Sequence, residues 1–396
     1  MDAEEARTIG RRVRQIRYAR GDKPLRVIAD LAGLSKTKLH RIETGQRALD
    51  SRSEIAALAN ALEVAPSELT RQQEPTPGNG EGAAVKAVRR ALIAVSRDDP
   101  GGQLVPVDVL RARVAALVAA QRRCDHEQVG RELPALVRDL HTTLAAGRDV
   151  GELLAVAVLL HVQGSHRWLN VMGAPPDLGW QAASLARQAA REHGAPDVLG
   201  LAAFGAANGL LSAGEFDVAL AELDSVSVPT TTAEAEQLDG MLSLSRSLVA
   251  AADLRPGDVE APLEHAMELA ARTGEGNAYG LSFGPTNVGV WRVSVALEAR
   301  DFARAVSIAE GLRPELLPAA TRQAAYWSDY GRGLARLRGR QADAVRALRK
   351  AELISPARVQ RHPFTRDVLA ELLAHAKRDA VGRELRGMAY RAGLPV

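Results

Sequence analysis

Apolar residues recur at helical spacing along almost the whole chain, and few segments alternate with a period of two. Val13 and Ile16 are three residues apart near the amino terminus, and so are Leu39 and Ile42 further along. Glycine or proline interrupts the pattern repeatedly, as is typical of the junctions between short helices. The pattern therefore predicts an all-α protein.

One stretch without apolar periodicity divides the chain. Residues 72–82 read QQEPTPGNGEG, a composition typical of a linker rather than of a packed element. With 396 residues, the chain also exceeds the size at which a single core stops growing. We therefore predict an amino-terminal domain over 1–71, a flexible linker over 72–83 and a helical body over 84–396.

Turn and cap residues delimit the first helices of the amino-terminal domain. The first helix is predicted to end near Gly21, and Pro24 suits an early position of the second. Gly33 can take the positive φ of a sharp reversal, and Ser35 is a natural N-cap for a third helix over Lys36–Glu43. A tight turn should thus join the second and third helices.

A fourth and a fifth helix complete this domain. Ser51 and Glu54 have the spacing of a capping box, in which each side chain bonds to the backbone N–H of the other residue. Pro66 then opens a short fifth helix. Leu39 and Ile42 should face the core of this five-helix bundle, because they lie on one side of the third helix.

Positive charge is concentrated near the amino terminus. Between Arg7 and Arg47 there are twelve lysine and arginine residues against three aspartate and glutamate residues, although the whole chain has a formal net charge of only +3. Such a cluster attracts a polyanion, although by itself it could also be a solvated face. The side chains of the third helix therefore decide between the two interpretations.

The outward face of the third helix carries side chains that can read DNA. Helical spacing turns two cations, a hydroxyl and an imidazole away from the core: Lys36, Arg41, Thr37 and His40. An arginine can chelate guanine in the major groove, a lysine can reach guanine or phosphate, and residues beside this face can hold the phosphate backbone. The full set of predicted DNA-contacting residues is Lys36, Thr37, Lys38, His40, Arg41, Gln46, Arg47, Arg14, Arg17 and Arg26.

The stretch from Ile9 to Leu69 resembles the phage-repressor and Cro-like helix-turn-helix family, often called the XRE family. The resemblance rests on the string LANALEVAPSEL and on Ala29, Gly33, Leu34, Ser35, Ile42, Glu43 and Gly45. Family members commonly open the second helix with a Ser-Gln pair, whose Gln anchors a phosphate, whereas Pro24 and Leu25 stand here. The resemblance implies binding to double-stranded DNA, with backbone anchoring shifted to Arg14, Arg17 or Arg26.

Three strings in the body repeat one another. GEFDVALAEL, RDFARAVSIA and GRQADAVRAL each have a turn followed by an alanine and an apolar stripe, and the alanines are Ala219, Ala305 and Ala344. Ala305 and Ala344 are 39 residues apart, near the period of about 34 of a tetratricopeptide repeat, in which a small residue lets two helices approach. The aromatic residue and the Leu-Gly pair of a standard first helix are missing. We predict a tetratricopeptide-like α-solenoid, and a generic solenoid of helical hairpins remains open.

The carboxyl-terminal region resembles the helical bodies of many helix-turn-helix regulators of actinobacteria. The strings SFGPTNVGVW, from Ser282, and AELISPARVQRHPFTRDVLAELL, from Ala351, carry this resemblance. The excess of arginine over lysine, 45 to 6, fits a high-GC genome of that kind. In such architectures the tetratricopeptide-like body dimerises and binds small peptides or other signals. The resemblance therefore implies a homodimer and an effector.

The string SFGPTNVGVW breaks the Ala- and Leu-rich pattern of the body. Stacked helical hairpins curve and create an inner surface, so such a break is a candidate ligand site. Two facing amides could clamp a peptide backbone above an aromatic floor. The predicted lining residues for a short peptide or a small apolar molecule are Asn208, Phe283, Asn287, Trp291 and Trp327. In the alternative interpretation, the amides only cap helices and the tryptophans belong to the core.

No signature of catalysis, metal binding or membrane insertion stands out in the sequence. There is no G-x-S-x-G elbow and no P-loop. His161 and His166 are five residues apart rather than the four that place two zinc ligands on one helical face, and the single Cys124 excludes a multi-thiolate site. No apolar run reaches the roughly 18 residues of a membrane span. We expect a cytoplasmic protein that is not an enzyme, has no cofactor and does not bind membranes.

Two interpretations of the function follow. In the first, the protein is a dimeric, sequence-specific transcription regulator whose body senses a peptide or a small molecule. In the second, it is a helical-repeat scaffold that binds partner proteins and keeps a weak or vestigial DNA-binding head. A steep salt dependence of DNA binding would separate them, because phosphate contacts release counterions.

Overall fold

The computed structural model describes residues 8–70 and 80–396. Every regular element in these residues is helical and none is a strand, which confirms the predicted all-α fold. Of the predicted flexible linker, residues 72–79 lie outside the described residues, and residues 80–83 already belong to a helix. We call residues 8–70 the head and residues 80–396 the body.

Five short helices form the head, as predicted: α1 (Ile9–Ala19), α2 (Leu25–Leu31), α3 (Lys36–Glu43), α4 (Arg52–Leu62) and α5 (Pro66–Thr70). The turn between α2 and α3 requires Gly33, whose φ of +65° is unfavourable for residues with a Cβ atom. The Ser35 hydroxyl accepts a hydrogen bond from the backbone N–H of Lys38 at 3.2 Å and so caps α3. The sequence signals for this turn and this cap are therefore confirmed.

The amino terminus of α4 differs from the predicted capping box. The Ser51 hydroxyl lies 2.8 Å from that of Ser53 and does not cap the helix. The Glu54 carboxylate turns to Lys38 of α3 and to Arg300 of the body, and it forms an ion pair with each. Two cations hold a carboxylate more strongly than one backbone N–H does. The capping box is therefore wrong, although α4 begins where it was predicted.

The body consists of helices joined by short connections. They are α6 (Gly80–Ser96), α7 (Val107–Arg122), α8 (His126–Ala145), α9 (Val150–Leu159), α10 (Arg167–Val171), α11 (Pro176–His193), α12 (Pro196–Ala213), α13 (Phe216–Asp224), α14 (Ala233–Ala252), α15 (Glu260–Thr273), α16 (Pro285–Glu298), α17 (Phe302–Glu310), α18 (Ala320–Ala335), α19 (Gln341–Ile354), α20 (Pro356–Arg361), α21 (Pro363–Ala374) and α22 (Ala380–Arg391). A π-helix over Leu160–His166 connects α9 to α10. Among the described residues, none of these helices combines the length and the hydropathy that a membrane crossing needs.

From α12 onwards, consecutive helices pair into hairpins that stack on one another. The first helices of the hairpins, α12, α14, α16 and α18, pack in that order, and each is followed by its second helix. Ala219, Ala305 and Ala344, the alanines of the repeated strings, are buried on the second helices. Gly331 of α18 allows close packing, because a Cβ atom there would lie 2.7 Å from the side chain of Leu348 on α19. The stacking is that of a helical solenoid.

The head packs against α21, whose carboxylate side chains accept hydrogen bonds from backbone N–H groups of the head. Asp367 of α21 accepts the backbone N–H groups of Ile9 and Leu49 at 2.8 and 3.1 Å. Glu371, one turn later, accepts the N–H of Ala48 at 2.8 Å. Burial raises the pKa of Asp367 to about 7, although the two N–H groups oppose the shift. The two carboxylates thus hold the start of α1 and the segment before α4.

Arg332 of α18 and Arg336, which directly follows that helix, complete the contact between head and body. Arg336 forms ion pairs with Asp50, at 2.7 Å, and with Glu371. Burial disfavours the charge of Arg336, but these two carboxylates outweigh that effect and raise its pKa. Arg332 donates to the carbonyl oxygen of Asp50 at 3.0 Å, and Phe364 of α21 belongs to the hydrophobic core of the head. Head and body therefore share an interface with a buried polar network.

Candidate nucleic-acid interface

The outward face of α3 is open to solvent. Leu39 and Ile42, on the inward face, are fully buried, as the helical spacing predicted. The body leaves the outward face uncovered, although it contacts the head at α1 and α4. A protruding helix with this division of faces has the form that enters a major groove. The exposed side chains of the outward face are Lys36, Thr37, His40 and Arg41.

Four further residues of the predicted DNA-contacting set lie near the surface of the head. Gln46, in the loop after α3, is exposed, and Arg47 beside it is half-buried. Arg14 of α1 and Arg26 of α2 are exposed. Arg26 lies 3.7 Å from Asp30, and such a surface pair contributes little. Three of these residues are thus open to solvent, and Arg47 is partly so.

Arg17 is engaged inside the head instead. Its guanidinium bonds to both carboxylate oxygens of Glu43, at 2.8 and 3.0 Å, and both side chains are buried. It also donates to the carbonyl oxygen of Lys23 at 2.9 Å. The hydrogen bond to Glu43 raises the pKa of Arg17 against the opposing effect of burial. Arg17 therefore ties α1 to the end of α3 and does not lie among the exposed cations.

Lys38 also differs from the rest of the predicted set. It is half-buried and forms the ion pair with Glu54 described above. Burial, followed by the positive charges of Arg300 and Arg47, lowers the pKa of Lys38 to about 8. Since Arg300 belongs to the body, Lys38 stands at the contact between head and body rather than on the exposed face of α3.

A cavity of about 1160 Å³ lies between the body and helices α4 and α5 of the head. The hairpin helices α12, α14, α16 and α18 all contribute to its lining, so they form the inner surface of the solenoid. Of the five predicted ligand-binding residues, Asn208 and Trp291 line the cavity, whereas Phe283, Asn287 and Trp327 do not. The structure therefore brings two of the five together at one site.

The two asparagines are held by different neighbours. The Asn208 amide nitrogen donates to the carbonyl oxygen of Phe204, one turn earlier in α12, at 2.8 Å. Asn287 is fully buried. It donates to the carbonyl oxygen of Ser282 and accepts from Nε of Arg322, each at 2.7 Å. Asn287 thus fixes the start of α16 and orients Arg322, which lines the cavity.

Phe283 and Trp327 pack away from the cavity. Phe283 is fully buried, and it lies so close to Gly240 of α14 that a Cβ atom there would overlap its ring. The rings of Trp327 and Tyr326 meet edge to face, with their centroids 4.9 Å apart. Lys350 of α19 lies 4.1 Å from the centre of the Trp327 ring. Both aromatic residues therefore have packing roles in this structure.

The sequence did not indicate the arginine residues that line the cavity. Arg122, Arg167, Arg322 and Arg358 come from α7, α10, α18 and α20. None of them belongs to a local motif, and only the folding of distant helices brings them together. The one available signal was the large number of arginines in the chain, which does not distinguish these four from the others.

A pair of histidines, of which His161 is fully buried and His141 half-buried, was also not indicated by the sequence. The Nε2 atoms of His141 and His161 are 2.8 Å apart, and burial lowers the pKa of His141 to about 4. His166 instead bonds through Nδ1 to the carbonyl oxygen of Gly179 at 3.1 Å. Within residues 8–70 and 80–396, no group of three or more His, Cys, Asp or Glu side chains could hold a metal ion. We therefore assign no metal centre to these residues.

Comparisons with known proteins bear on the head. No curated protein and no solved structure matches the chain. Helices α2 and α3, joined by the tight turn at Gly33, have the arrangement that gives the helix-turn-helix motif its name. Residues 8–72 match the family model of a helix-turn-helix domain, and this domain indicates a DNA-binding regulator.

Proposed function

We propose that the protein is a dimeric, sequence-specific transcription regulator of the XRE type, with a tetratricopeptide-like body that senses a peptide or a small molecule. The observation that carries the proposal is the exposed face of α3 above a buried face of Leu39 and Ile42, within the matched helix-turn-helix domain. The protein acts in the cytoplasm, by binding rather than by catalysis. The head makes the DNA contacts, and the body forms the dimer interface and contains the effector site.

The remaining DNA-contacting residues of the head divide into two groups by what they can contact. Arg41 and Lys36 project from α3 and reach base edges in the major groove, with Thr37 and His40 beside them. The residues around α3 contact phosphate groups and position the head on the duplex. This second group contains Gln46, Arg47, Arg14 and Arg26.

We expect Arg41→Ala and Lys36→Ala each to weaken binding to the preferred site by about 1–3 kcal/mol, because a base contact is lost. Arg47→Ala should weaken binding to all sequences alike and reduce the salt dependence by about one unit of slope. Fluorescence anisotropy with a site selected from random DNA measures both effects. Arg131→Ala, on the exposed surface of α8, is the control and should bind as the wild type does. Wild-type affinity of Arg41→Ala would contradict the assignment of α3.

The same titrations test the scaffold interpretation. A vestigial head would bind the selected site and random DNA equally weakly. A regulator binds the selected site more tightly, and both affinities fall steeply with salt because phosphate contacts release counterions. Measurements at two salt concentrations therefore separate the two functions.

We expect the full chain to be a homodimer that binds an inverted repeat, since one short recognition helix contacts few base pairs. Two-fold symmetry places the half-sites about one helical turn, or 34–36 Å, apart. Light scattering at micromolar concentration should give twice the mass of one chain, and footprinting should show two protected half-sites. A chain that has the mass of a monomer both free and on DNA would contradict the dimer.

A further inference from the structure

The cavity between head and body carries an excess of positive charge. Nine arginine and lysine residues line it against four aspartate and glutamate residues, and we call it the arginine cavity. Two of the four carboxylates are already engaged, because Glu298 pairs with Arg52 and Asp329 pairs with Arg332. The lining therefore carries more positive than negative charge.

Donor groups without protein partners accumulate at the same place. In the described part of the chain, no carboxylate forms an ion pair with Arg122, Arg167, Arg322 or Arg358. The Nε atoms of Arg122 and Arg358 are buried and have no hydrogen-bond partner in residues 8–70 and 80–396. The same is true of the indole nitrogen of Trp291. Since all of these groups donate hydrogen bonds, the lining is suited to an acceptor with negative charge.

Two of the guanidinium groups are held in place by aromatic rings. Arg167 lies 6.0 Å from the centre of the Phe204 ring, and Arg322 lies 5.6 Å from that of Trp291. The two rings are themselves 6.4 Å apart. Asn287 fixes Arg322 further by accepting from its Nε. Because a guanidinium that stacks on a ring keeps its N–H edges available, both groups are preorganised for a ligand.

The close approach of these charges is unfavourable in the protein itself. Burial, followed by the charge of Arg122, lowers the pKa of Arg167 to about 10. Burial, followed by the charges of Arg167 and Arg358, lowers the pKa of Arg322 to about 9, although the charge of Asp329 opposes the shift. Both groups are still charged at neutral pH, so they repel one another inside the fold. An anion between them would replace this repulsion with attraction.

We propose that the arginine cavity binds a small organic anion. Its phosphate or carboxylate groups bond to the guanidinium groups, and its apolar or planar part lies against Phe204 and Trp291. Planar guanidinium forks match the two oxygens of a carboxylate or a phosphate, whereas an uncharged ligand would leave the cations uncompensated. The residues that hold the anion are Arg122, Arg167, Arg322 and Arg358.

The position of the cavity gives such a ligand a route to the head. Arg52 and Ile55 of α4 and Glu68 of α5 belong to the lining. A bound anion therefore contacts head and body together, and it shifts DNA binding if its affinity differs between two arrangements of the head. In this respect the inference rests on the proposed function, since it names the chemical class of the effector, whereas binding of the anion itself can be measured without DNA.

Thermal unfolding of the full chain tests the inference. Pyrophosphate and citrate are the two probes, and sodium chloride at matched ionic strength is the reference. We expect at least one probe to raise the Tm by several degrees above the reference, because a ligand that binds only the folded state stabilises it. A rise with pyrophosphate alone assigns a phosphate ligand, and a rise with citrate alone assigns a carboxylate ligand. No rise with either probe would overturn the proposal.

Substitutions test whether the rise in Tm comes from binding in the arginine cavity. Arg122→Met and Arg167→Met should abolish the rise in Tm and increase the Kd for the effective probe, measured by calorimetry, by about tenfold or more. In sodium chloride their Tm should equal or exceed that of the wild type, because a buried charge without a partner has been removed. Arg131→Met, on the exposed surface of α8, should keep the full rise.

Two outcomes of the substitutions would reject the cavity as the site. The first is a rise in Tm that Arg122→Met and Arg167→Met both retain. The second is a lower Tm of both variants in sodium chloride, which would give these arginines a structural role. If the protein fails to bind DNA but the probes behave as expected, only the proposed regulator function is lost. If it binds DNA and neither probe raises the Tm, only the anion site is lost.

Discussion

Arg336→Met is expected to lower the free energy of unfolding by about 3–5 kcal/mol. The substitution leaves Asp50 and Glu371 without their shared cation, although these side chains are only 11% and 21% exposed. A charge that stays buried after its partner is removed keeps the cost of desolvation. Denaturation in urea, followed by circular dichroism, measures the loss.

Arg338→Met provides the matched control for this prediction. Arg338 is exposed and lies just after α18, so its loss should change the free energy of unfolding by no more than about 0.5 kcal/mol. Equal stability of the Arg336 and Arg338 variants would show that the contact between head and body does not hold the fold together.

Arg17→Met is expected to have a similarly large effect on the head, about 3–5 kcal/mol, because it leaves the buried Glu43 carboxylate unpaired. Differential scanning calorimetry of the full chain should show the head unfolding at a lower temperature. Loss of DNA binding should follow from that unfolding, since Glu43 ends α3.

Arg14→Met separates this structural role from a role in phosphate binding. Arg14 lies on the same helix as Arg17 and is exposed. Its substitution should leave the unfolding temperature unchanged and weaken binding to all DNA sequences alike. If Arg17→Met behaves in the same way, with normal stability and uniformly weaker DNA binding, then the ion pair with Glu43 is not what Arg17 contributes.

The sequence predicts α3 correctly because the signals for this helix are local. Gly33 permits the turn, and Ser35 caps the helix with a hydroxyl three residues from the N–H that it binds. The inward face of Leu39 and Ile42 follows from helical periodicity alone. Such features depend on neighbours within one helical turn, so a single sequence is enough to predict them.

Contacts between distant segments could not be predicted in this way. The sequence assigned Arg17 and Lys38 to DNA, but Glu43 and Glu54 hold them in the structure. Glu54 was expected to cap α4, yet the body supplies Arg300 as its partner. A long cationic side chain can reach many positions. Whether it pairs with a carboxylate of the protein or with a phosphate of DNA depends on its neighbours in the tertiary structure. For the same reason, the sequence did not predict that arginine residues from distant helices meet around the cavity.

Part of the contact between body and head is made to the main chain of the head. Asp367 and Glu371 accept backbone N–H groups, and Arg332 donates to a backbone carbonyl oxygen. Main-chain groups are the same whichever amino acid occupies a position. Substitutions on the outward face of α3 can therefore change the side chains that face DNA while these main-chain hydrogen bonds to the body stay in place.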